Sequence, residues 1–212
     1  MKKSLLKSAI FSLIVTSVVF LSSCGSTSGY TPKKYTTDWE TVSKDNTNDC
    51  GHFFTTSEMG KFSMICGEFK KEQGSEDGCF GFVFGYSGQN KGILSDYIRF
   101  EINTLGEYAV YSWVGGKYTD LINSEADNTA YMNTSSSIVK GLGSTNTLKV
   151  EKAKDGTYSC YINGSCVASK IEPLQNGTKG VMAFFSVASS EKEKLPDEAV
   201  SLSYRIVDSA FN

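Results

Sequence analysis

The sequence predicts an all-β sandwich of two antiparallel sheets, and three observations lead to that fold class. Short runs rich in Phe, Tyr, Val and Ile recur from Trp39 onward. Gly, Asn, Asp and Ser separate these runs at intervals of about ten residues, which is typical of a sandwich. The chain has only 3 prolines, and no long stretch shows a helical period. We therefore assign the sandwich domain to residues 37–212.

Residues 1–23 are predicted to be a secretion signal that is removed and takes no part in the fold. Lys2, Lys3 and Lys7 precede an apolar run over residues 9–21. Polar residues interrupt this run, and it is shorter than the roughly 20 apolar residues that a membrane span needs. A cleaved signal is therefore favoured over a spanning anchor.

The end of this signal, Leu21-Ser22-Ser23-Cys24, resembles the lipobox of bacterial lipoproteins. The resemblance implies cleavage before Cys24 and attachment of lipid to its thiol. Two or more acyl chains, at about 0.8 kcal/mol per buried methylene, hold a protein stably at a bilayer. Residues 24–36 are small and polar and are predicted to be a flexible tether. We expect a lipid-anchored, extracytoplasmic protein of the bacterial cell envelope, at the outer membrane or cell surface.

The charge balance narrows the choice of ligand. Removal of the signal leaves 189 of the 212 residues, with 18 basic against 23 acidic side chains and a formal charge of −5. This length suits one domain with a substantial core. A mildly acidic chain without a basic stripe argues against nucleic acid as a partner.

Alternation of apolar and polar residues locates individual strands. The clearest strand runs from Tyr97 to Asn103, where every second side chain is apolar. The charged segment 191–197 contains Pro196 and is predicted to be an exposed loop. The other period-two sets are Phe80, Phe82, Phe84 and Tyr86; Leu148 and Val150; Val181, Ala183, Phe185 and Val187; and Val200, Leu202, Tyr204 and Ile206.

The strand that ends at Asn103 is followed by a hairpin turn into residues 107–114. The length of this loop decides which side chains of the two strands share a face. A two-residue loop, Leu105-Gly106, places Ile102 on the face of Ala109. The other face then mixes charged side chains such as Arg99 with apolar ones such as Val110, which makes a poor polar surface. A three-residue loop, Thr104-Leu105-Gly106, with its glycine in a left-handed bulge, sets Ile102 beside Tyr108 instead. The longer loop gives the cleaner core, and we predict that register.

The other face of the hairpin then carries flat aromatic rings beside charged groups. Sugars stack their C–H faces on such rings, and their hydroxyls need planar donors and acceptors. We interpret this face, open to solvent, as a candidate ligand platform, although the same residues could merely cover one another or a loop. Its members are Tyr97 opposite Trp113, Arg99 opposite Tyr111, and Glu101 opposite Ala109.

Residues 81–168 carry a resemblance to a known superfamily. The motifs are GFVFGYSG, then DYIRFEINTLGEYAVYSWVGGKYTDLI, then SSIVKGLGSTNTLKVEKAKDGTYSCYINGSCVA. In this order they resemble the concanavalin A-like lectins and glucanases, in particular laminin-G-like and 3-keto-disaccharide-hydrolase-type domains. The resemblance implies a jelly-roll of two curved sheets, often with glycan recognition, and does not by itself imply an activity.

The glucanase members of that superfamily are expected to need a Glu-x-Asp-x-x-Glu strand, whose carboxylates act as nucleophile and acid. This sequence lacks it, because Glu125-Ala126-Asp127 is followed by Asn128-Thr129-Ala130. The single histidine, His52, stands next to two phenylalanines and is interpreted as structural. Asp45 and Asp49 offer oxygen ligands for a possible Ca²⁺ ion, although a solvated turn explains them as well.

Five cysteines remain after Cys24, so the chain cannot pair all of them internally. A three-residue loop over 162–164 places Cys160 opposite Cys166 and allows a cross-strand disulfide. A two-residue loop, Asn163-Gly164, puts the two thiols on opposite faces and forbids it. We expect the bridge, on the ground that an exported chain meets an oxidising compartment.

Three functions remain open at this point. The leading one is a non-catalytic, membrane-tethered domain that binds a glycan through Tyr97, Arg99, Glu101, Tyr111 and Trp113. The second is a sugar hydrolase that gathers carboxylates from separate strands, such as Glu101 with Glu107 or Asp120. The third is an adhesin or structural lipoprotein that contacts another protein.

Overall fold

The computed structural model describes residues 37–45, 51–54, 60–87, 89–90, 93–94, 96–123, 132–175, 177, 180–187 and 198–211. The predicted signal, Cys24, the tether and the predicted loop over 191–197 lie outside these residues. The described residues form strands, turns and connecting loops. Nothing in these ranges is a helix long and apolar enough to cross a membrane.

The first sheet has six antiparallel strands. Their order is β1-β15-β3-β11-β12-β13, so the last strand of the chain lies between the first and the third. The bounds are β1 Glu40–Asp45, β3 Phe62–Gln73, β11 Thr145–Lys152, β12 Tyr158–Ile162, β13 Ser165–Ile171 and β15 Ala199–Phe211.

The second sheet is also antiparallel, with the order β10-β8-β7-β4-β14-β2, and β9 pairs with β8 as well. A separate two-stranded pair joins β5 (Gln89–Asn90) to β6 (Ile93–Leu94). The bounds in the second sheet are β2 Gly51–Phe54, β4 Phe80–Phe84, β7 Tyr97–Ile102, β8 Glu107–Val114, β9 Lys117–Asp120, β10 Asn133–Thr134 and β14 Val181–Val187.

The inner faces of the two sheets share one hydrophobic core. In the strands that line this core, side chains point alternately to the two faces of the sheet, and the apolar ones on the inner face form buried rows. The first sheet supplies Phe62, Ile65, Phe69, Leu148, Val150, Cys160, Leu202 and Tyr204, and the second supplies Phe80, Phe82, Phe84, Ile98, Phe100, Ile102 and Val110. The predicted sandwich of two antiparallel sheets is confirmed.

The register predicted for the β7–β8 hairpin is confirmed as well. Ile102 pairs with Tyr108, and the loop is the three-residue one. Gly106 has a φ of 96°, a backbone conformation that residues other than glycine rarely adopt. Asn103 closes the loop, because its Oδ1 accepts hydrogen bonds from the backbone N–H groups of Leu105 (3.1 Å) and Glu107 (3.0 Å).

The predicted alternation fails at Tyr86. The strand that carries Phe80 and Phe84 ends before Gly85, whose φ of 61° turns the backbone. Tyr86 is buried, but in a small second cluster with Val83 and Tyr97 instead of the main core.

The predicted disulfide is wrong. Asn163 (φ 47°) and Gly164 (φ 85°) form a two-residue turn of the kind that Asn-Gly favours. Cys166 therefore pairs with Tyr161, and Cys160 pairs with Ala168 across a β-bulge. Cys160 is buried in the core and Cys166 is exposed, and both are free thiols. The structure thus adopts the shorter of the two loops that the sequence allowed.

Candidate functional site

The outer face of the second sheet brings the five predicted platform residues together. Across the β7–β8 pair, Tyr97 lies opposite Trp113, Arg99 opposite Tyr111 and Glu101 opposite Ala109. The next strand, β9, extends this face with Tyr118 opposite Trp113 and Asp120 opposite Tyr111. We call the set Tyr97, Arg99, Glu101, Tyr111, Trp113 and Tyr118 the second-sheet site.

Tyr118 was not predicted, although the sequence contains a signal for it. Gly115-Gly116 is a dipeptide that favours a two-residue hairpin, and both glycines have a positive φ. A strand that returns after this turn places every second residue of 117–120 on the same face as Trp113. Alternation continued through this second hairpin predicts Tyr118 on the face of Trp113.

Arg99 is the centre of the second-sheet site. Its guanidinium carbon lies 4.5 Å from the ring centre of Tyr111 and 6.0 Å from those of Tyr97 and Tyr118. A guanidinium is attracted to the negative face of an aromatic ring, and the attraction strengthens when both groups are removed from water. These contacts bind the rings to one another through a single cation.

The rings also pack directly on one another. The ring centres of Trp113 and Tyr118 are 4.5 Å apart with a 59° angle between planes, and those of Tyr111 and Tyr118 are 5.2 Å apart at 74°. Tilted and edge-to-face arrangements of this kind are the favourable ones for aromatic pairs. Tyr118 thus connects the buried ring of Tyr111 to the ring of Trp113.

The expectation that this face is open to solvent is wrong for four of the five predicted residues. The exposed fraction is 7% for Tyr97, 3% for Arg99, 5% for Glu101 and 1% for Tyr111. Trp113 and Tyr118 are partly buried. The site therefore has a buried base and, at one side, two rings that solvent reaches.

Glu101 lies in the buried base without full compensation of its charge. Its Oε2 is 3.6 Å from Nε of Arg99 and makes no hydrogen bond. Burial raises the pKa of this carboxyl, and the guanidinium of Arg99 and a hydrogen bond with Cys79 oppose the shift only in part. Burial also raises the pKa of the Cys79 thiol well above its usual value. Burial thus disfavours the charged form of each group.

The other carboxylates of this face are engaged by neighbouring loops. Asp120 accepts hydrogen bonds from the backbone N–H groups of Ile122 (2.8 Å) and Asn123 (2.7 Å). Oε2 of Glu107 accepts one from Nδ2 of Asn103 at 2.6 Å. These carboxylates fix loop conformation, so neither is placed as a freely acting partner for Glu101.

The predicted Ca²⁺ ligands lie at the limit of what the structure describes. Asp49 is outside the described residues, and Asp45 ends β1 with its backbone paired to Ala199. His52 is in β2, paired with Ser186. Among the side chains that the structure describes, no group of three or more His, Cys, Asp and Glu residues could hold a metal ion.

Comparisons with known proteins show the fold. No family model and no curated protein sequence matches the chain. An endo-acting O-glycanase, from work on mucin breakdown by members of the human gut microbiota, has a similar structure with a TM-score of 0.51. The two share 11% identity, and the match covers 82% of this chain and 80% of that one. The predicted jelly-roll of two antiparallel sheets is confirmed.

Two further solved structures resemble the chain less closely. One is the carbohydrate-binding module CBM66 from Bacillus subtilis, with a TM-score of 0.49, 10% identity, and coverage of 79% of this chain and 94% of that one. The other is a GH16 protein from the mixed-linkage glucan locus of Bacteroides ovatus, with a TM-score of 0.49, 11% identity, and coverage of 74% and 73%.

Proposed function

We propose that this chain is a membrane-anchored, extracytoplasmic lipoprotein whose jelly-roll domain binds a glycan without catalysis. The observation that carries the proposal is the second-sheet site, where the partly exposed rings of Trp113 and Tyr118 lie against a buried base held by Arg99. Rings held in this way lose little conformational freedom when a sugar stacks on them.

The two layers of the site have different roles in this proposal. Trp113 and Tyr118 contact the sugar, because solvent reaches their rings. Tyr97, Arg99, Glu101 and Tyr111 are positioning residues, since they are too deeply buried for direct contact.

A glycan array probed with the full-length protein, purified in detergent, tests this function. Trp113→Ala and Tyr118→Ala should each weaken binding by roughly tenfold, the loss expected for one aromatic contact of about 1.4 kcal/mol. The matched control is Tyr161→Ala, which removes a partly exposed ring from the first sheet. Full binding by Trp113→Ala, with the fold retained, would contradict the site.

The lipid anchor is a separate part of the proposal and rests on the sequence around Cys24. In a bacterial host, the protein should carry lipid at its mature N-terminus and should partition with membranes. Cys24→Ser should abolish both properties, whereas Cys166→Ser should change neither. An unlipidated mature protein would remove the anchor from the proposal and leave the glycan site untouched.

Hydrolysis of a sugar is the second candidate, and one observation favours it. Burial raises the pKa of Glu101, as it does for the acid residue of lysozyme, but this candidate requires a sugar to reach a carboxyl that is only 5% exposed. Hydrolysis would need a second carboxylate beside Glu101, and hydrogen bonds to neighbouring groups already engage Asp120 and Glu107. This favours binding without hydrolysis. New reducing ends from a bound glycan, lost in Glu101→Gln, would establish hydrolysis. Silence on the array would favour a protein partner instead.

A further inference from the structure

The outer face of the first sheet carries an exposed tryptophan that the second-sheet site does not use. Trp39 stands immediately before β1, and 40% of its surface is accessible to solvent. It is one of the 2 tryptophans of the chain, and the other is Trp113 on the opposite sheet. Trp39 therefore places one large, partly exposed ring beside charged side chains of β3 and β15.

Two cations hold the Trp39 ring. The guanidinium carbon of Arg205 lies 4.9 Å from the ring centre, and Nζ of Lys70 lies 5.6 Å from it. The two side chains project from neighbouring strands of the first sheet, Arg205 from β15 and Lys70 from β3. Cation–π contacts of this kind fix the ring over the sheet and leave part of its surface available to a ligand.

Each cation is in turn paired with a carboxylate. Nε and Nη2 of Arg205 both lie 2.7 Å from Oε2 of Glu68, the residue directly opposite it in β3. Nζ of Lys70 lies 2.7 Å from Oε1 of Glu72. These four side chains remain partly exposed, with accessible fractions between 24% and 38%. Their charges cancel.

Hydroxyl groups continue the network toward β1. Oγ of Ser203 donates a hydrogen bond to Oε1 of Glu72 at 2.9 Å, and it lies 2.6 Å from Oγ1 of Thr41. The face around Trp39 therefore combines one flat apolar ring with planar donors, carboxylate acceptors and hydroxyls, all held by one another.

We propose that Trp39 and its flanking ion pairs, Arg205 with Glu68 and Lys70 with Glu72, form a second carbohydrate site, specific for neutral sugars. The C–H face of a pyranose stacks on Trp39, and its hydroxyls exchange hydrogen bonds with the exposed edges of the ion pairs. A neutral ligand is favoured over an acidic one, because Arg205 and Lys70 are each already paired with a carboxylate. An added carboxylate therefore gains little from these cations and is repelled by Glu68 and Glu72. This site is independent of the second-sheet site.

Tryptophan fluorescence separates the two sites. In the full-length Trp113→Phe variant, all tryptophan emission comes from Trp39. The probes are cellotetraose, laminaritetraose and chitotetraose at millimolar concentrations, with trigalacturonate as the acidic comparison. At least one neutral probe should change the emission of Trp39 and should bind more tightly than trigalacturonate.

The second measurement is the change in affinity when the Trp39 ring is removed. By calorimetry, Trp39→Ala in the Trp113→Phe background should bind that neutral probe at least roughly tenfold more weakly. Tyr161→Ala in the same background keeps the affinity, because Lys149 covers that ring at 3.9 Å. Unchanged affinity in Trp39→Ala, or no response of Trp39 to any neutral probe, overturns the inference. Trp39→Phe alone, with Trp113 as the reporter, shows separately whether the second-sheet site binds.

Discussion

The guanidinium of Arg99 lies 4.5 Å from the centre of the Tyr111 ring, directly across the β7–β8 strand pair, and both side chains are almost completely buried. A cation and an aromatic ring thus form the base of the second-sheet site, on the side of the sheet that faces away from the main core. The base gives the rim rings Trp113 and Tyr118 a fixed support.

Removal of the Tyr111 ring should destabilise the whole sheet. Tyr111→Ala deletes a fully buried aromatic side chain and exposes the charge of Arg99 to a cavity, at a cost of about 3–5 kcal/mol in the free energy of unfolding. Urea denaturation measures this loss in the free energy of unfolding. Tyr111→Phe keeps the ring under Arg99 and should cost less than about 1.5 kcal/mol. Equal losses in the two variants would show that the ring contact is unimportant.

Glu101 should make the protein less stable as the pH rises. Burial raises its pKa in the folded state above the usual value of 4.5, so the folded protein holds this proton more tightly than the unfolded chain does. Its stabilising contribution is complete below about pH 4.5 and is lost as the pH passes through the raised pKa. Glu101→Gln does not titrate, so it should lack this decline.

The measurement is the free energy of unfolding of both proteins from acidic to neutral pH. The difference between the two curves isolates Glu101, because every other titratable group is present in both proteins. Parallel curves would mean that the carboxyl titrates with an ordinary pKa in the folded protein.

Asn103 should be the residue on which the β7–β8 turn depends. Its side chain is buried, accepts hydrogen bonds from two backbone N–H groups and donates one to Glu107. Asn103→Ala leaves these groups without partners and should cost about 1–3 kcal/mol. Leu105→Ala changes an exposed residue of the same loop and should cost no more than about 0.5 kcal/mol. Similar losses would contradict this role.

The two cysteines of the β12–β13 hairpin should differ sharply in reactivity. Cys166 is exposed and should react with iodoacetamide in the folded protein. Cys160 is buried in the core, which strongly raises the pKa of its thiol, so it should react only after unfolding. Mass spectrometry of the peptides, with and without prior reduction, measures both. A bridge that reductant releases would contradict the observed register.

Much of this fold follows from local patterns. Period-two alternation in Tyr97–Asn103 and in Val200–Ile206 places the strands, because side chains of a strand point alternately to its two sides. Gly106 sets the loop length of one hairpin, since the left-handed conformation favours glycine. At Asn163-Gly164 the sequence allowed two loop lengths, and the expected export to an oxidising compartment favoured the longer one. That expectation was wrong, because Asn163 also adopts a positive φ there and closes a two-residue turn.

The sequence by itself determined the class of fold, the face that the five predicted residues share and the strand register that pairs them. Only the tertiary structure decided which of these residues meet solvent. Alternation reports the side of a sheet on which a residue lies, whereas burial depends on segments distant in the chain that pack over that side. For that reason Arg99 and Tyr111 form a buried base, Tyr118 joins the rim, and Trp39 is the exposed ring on the other sheet.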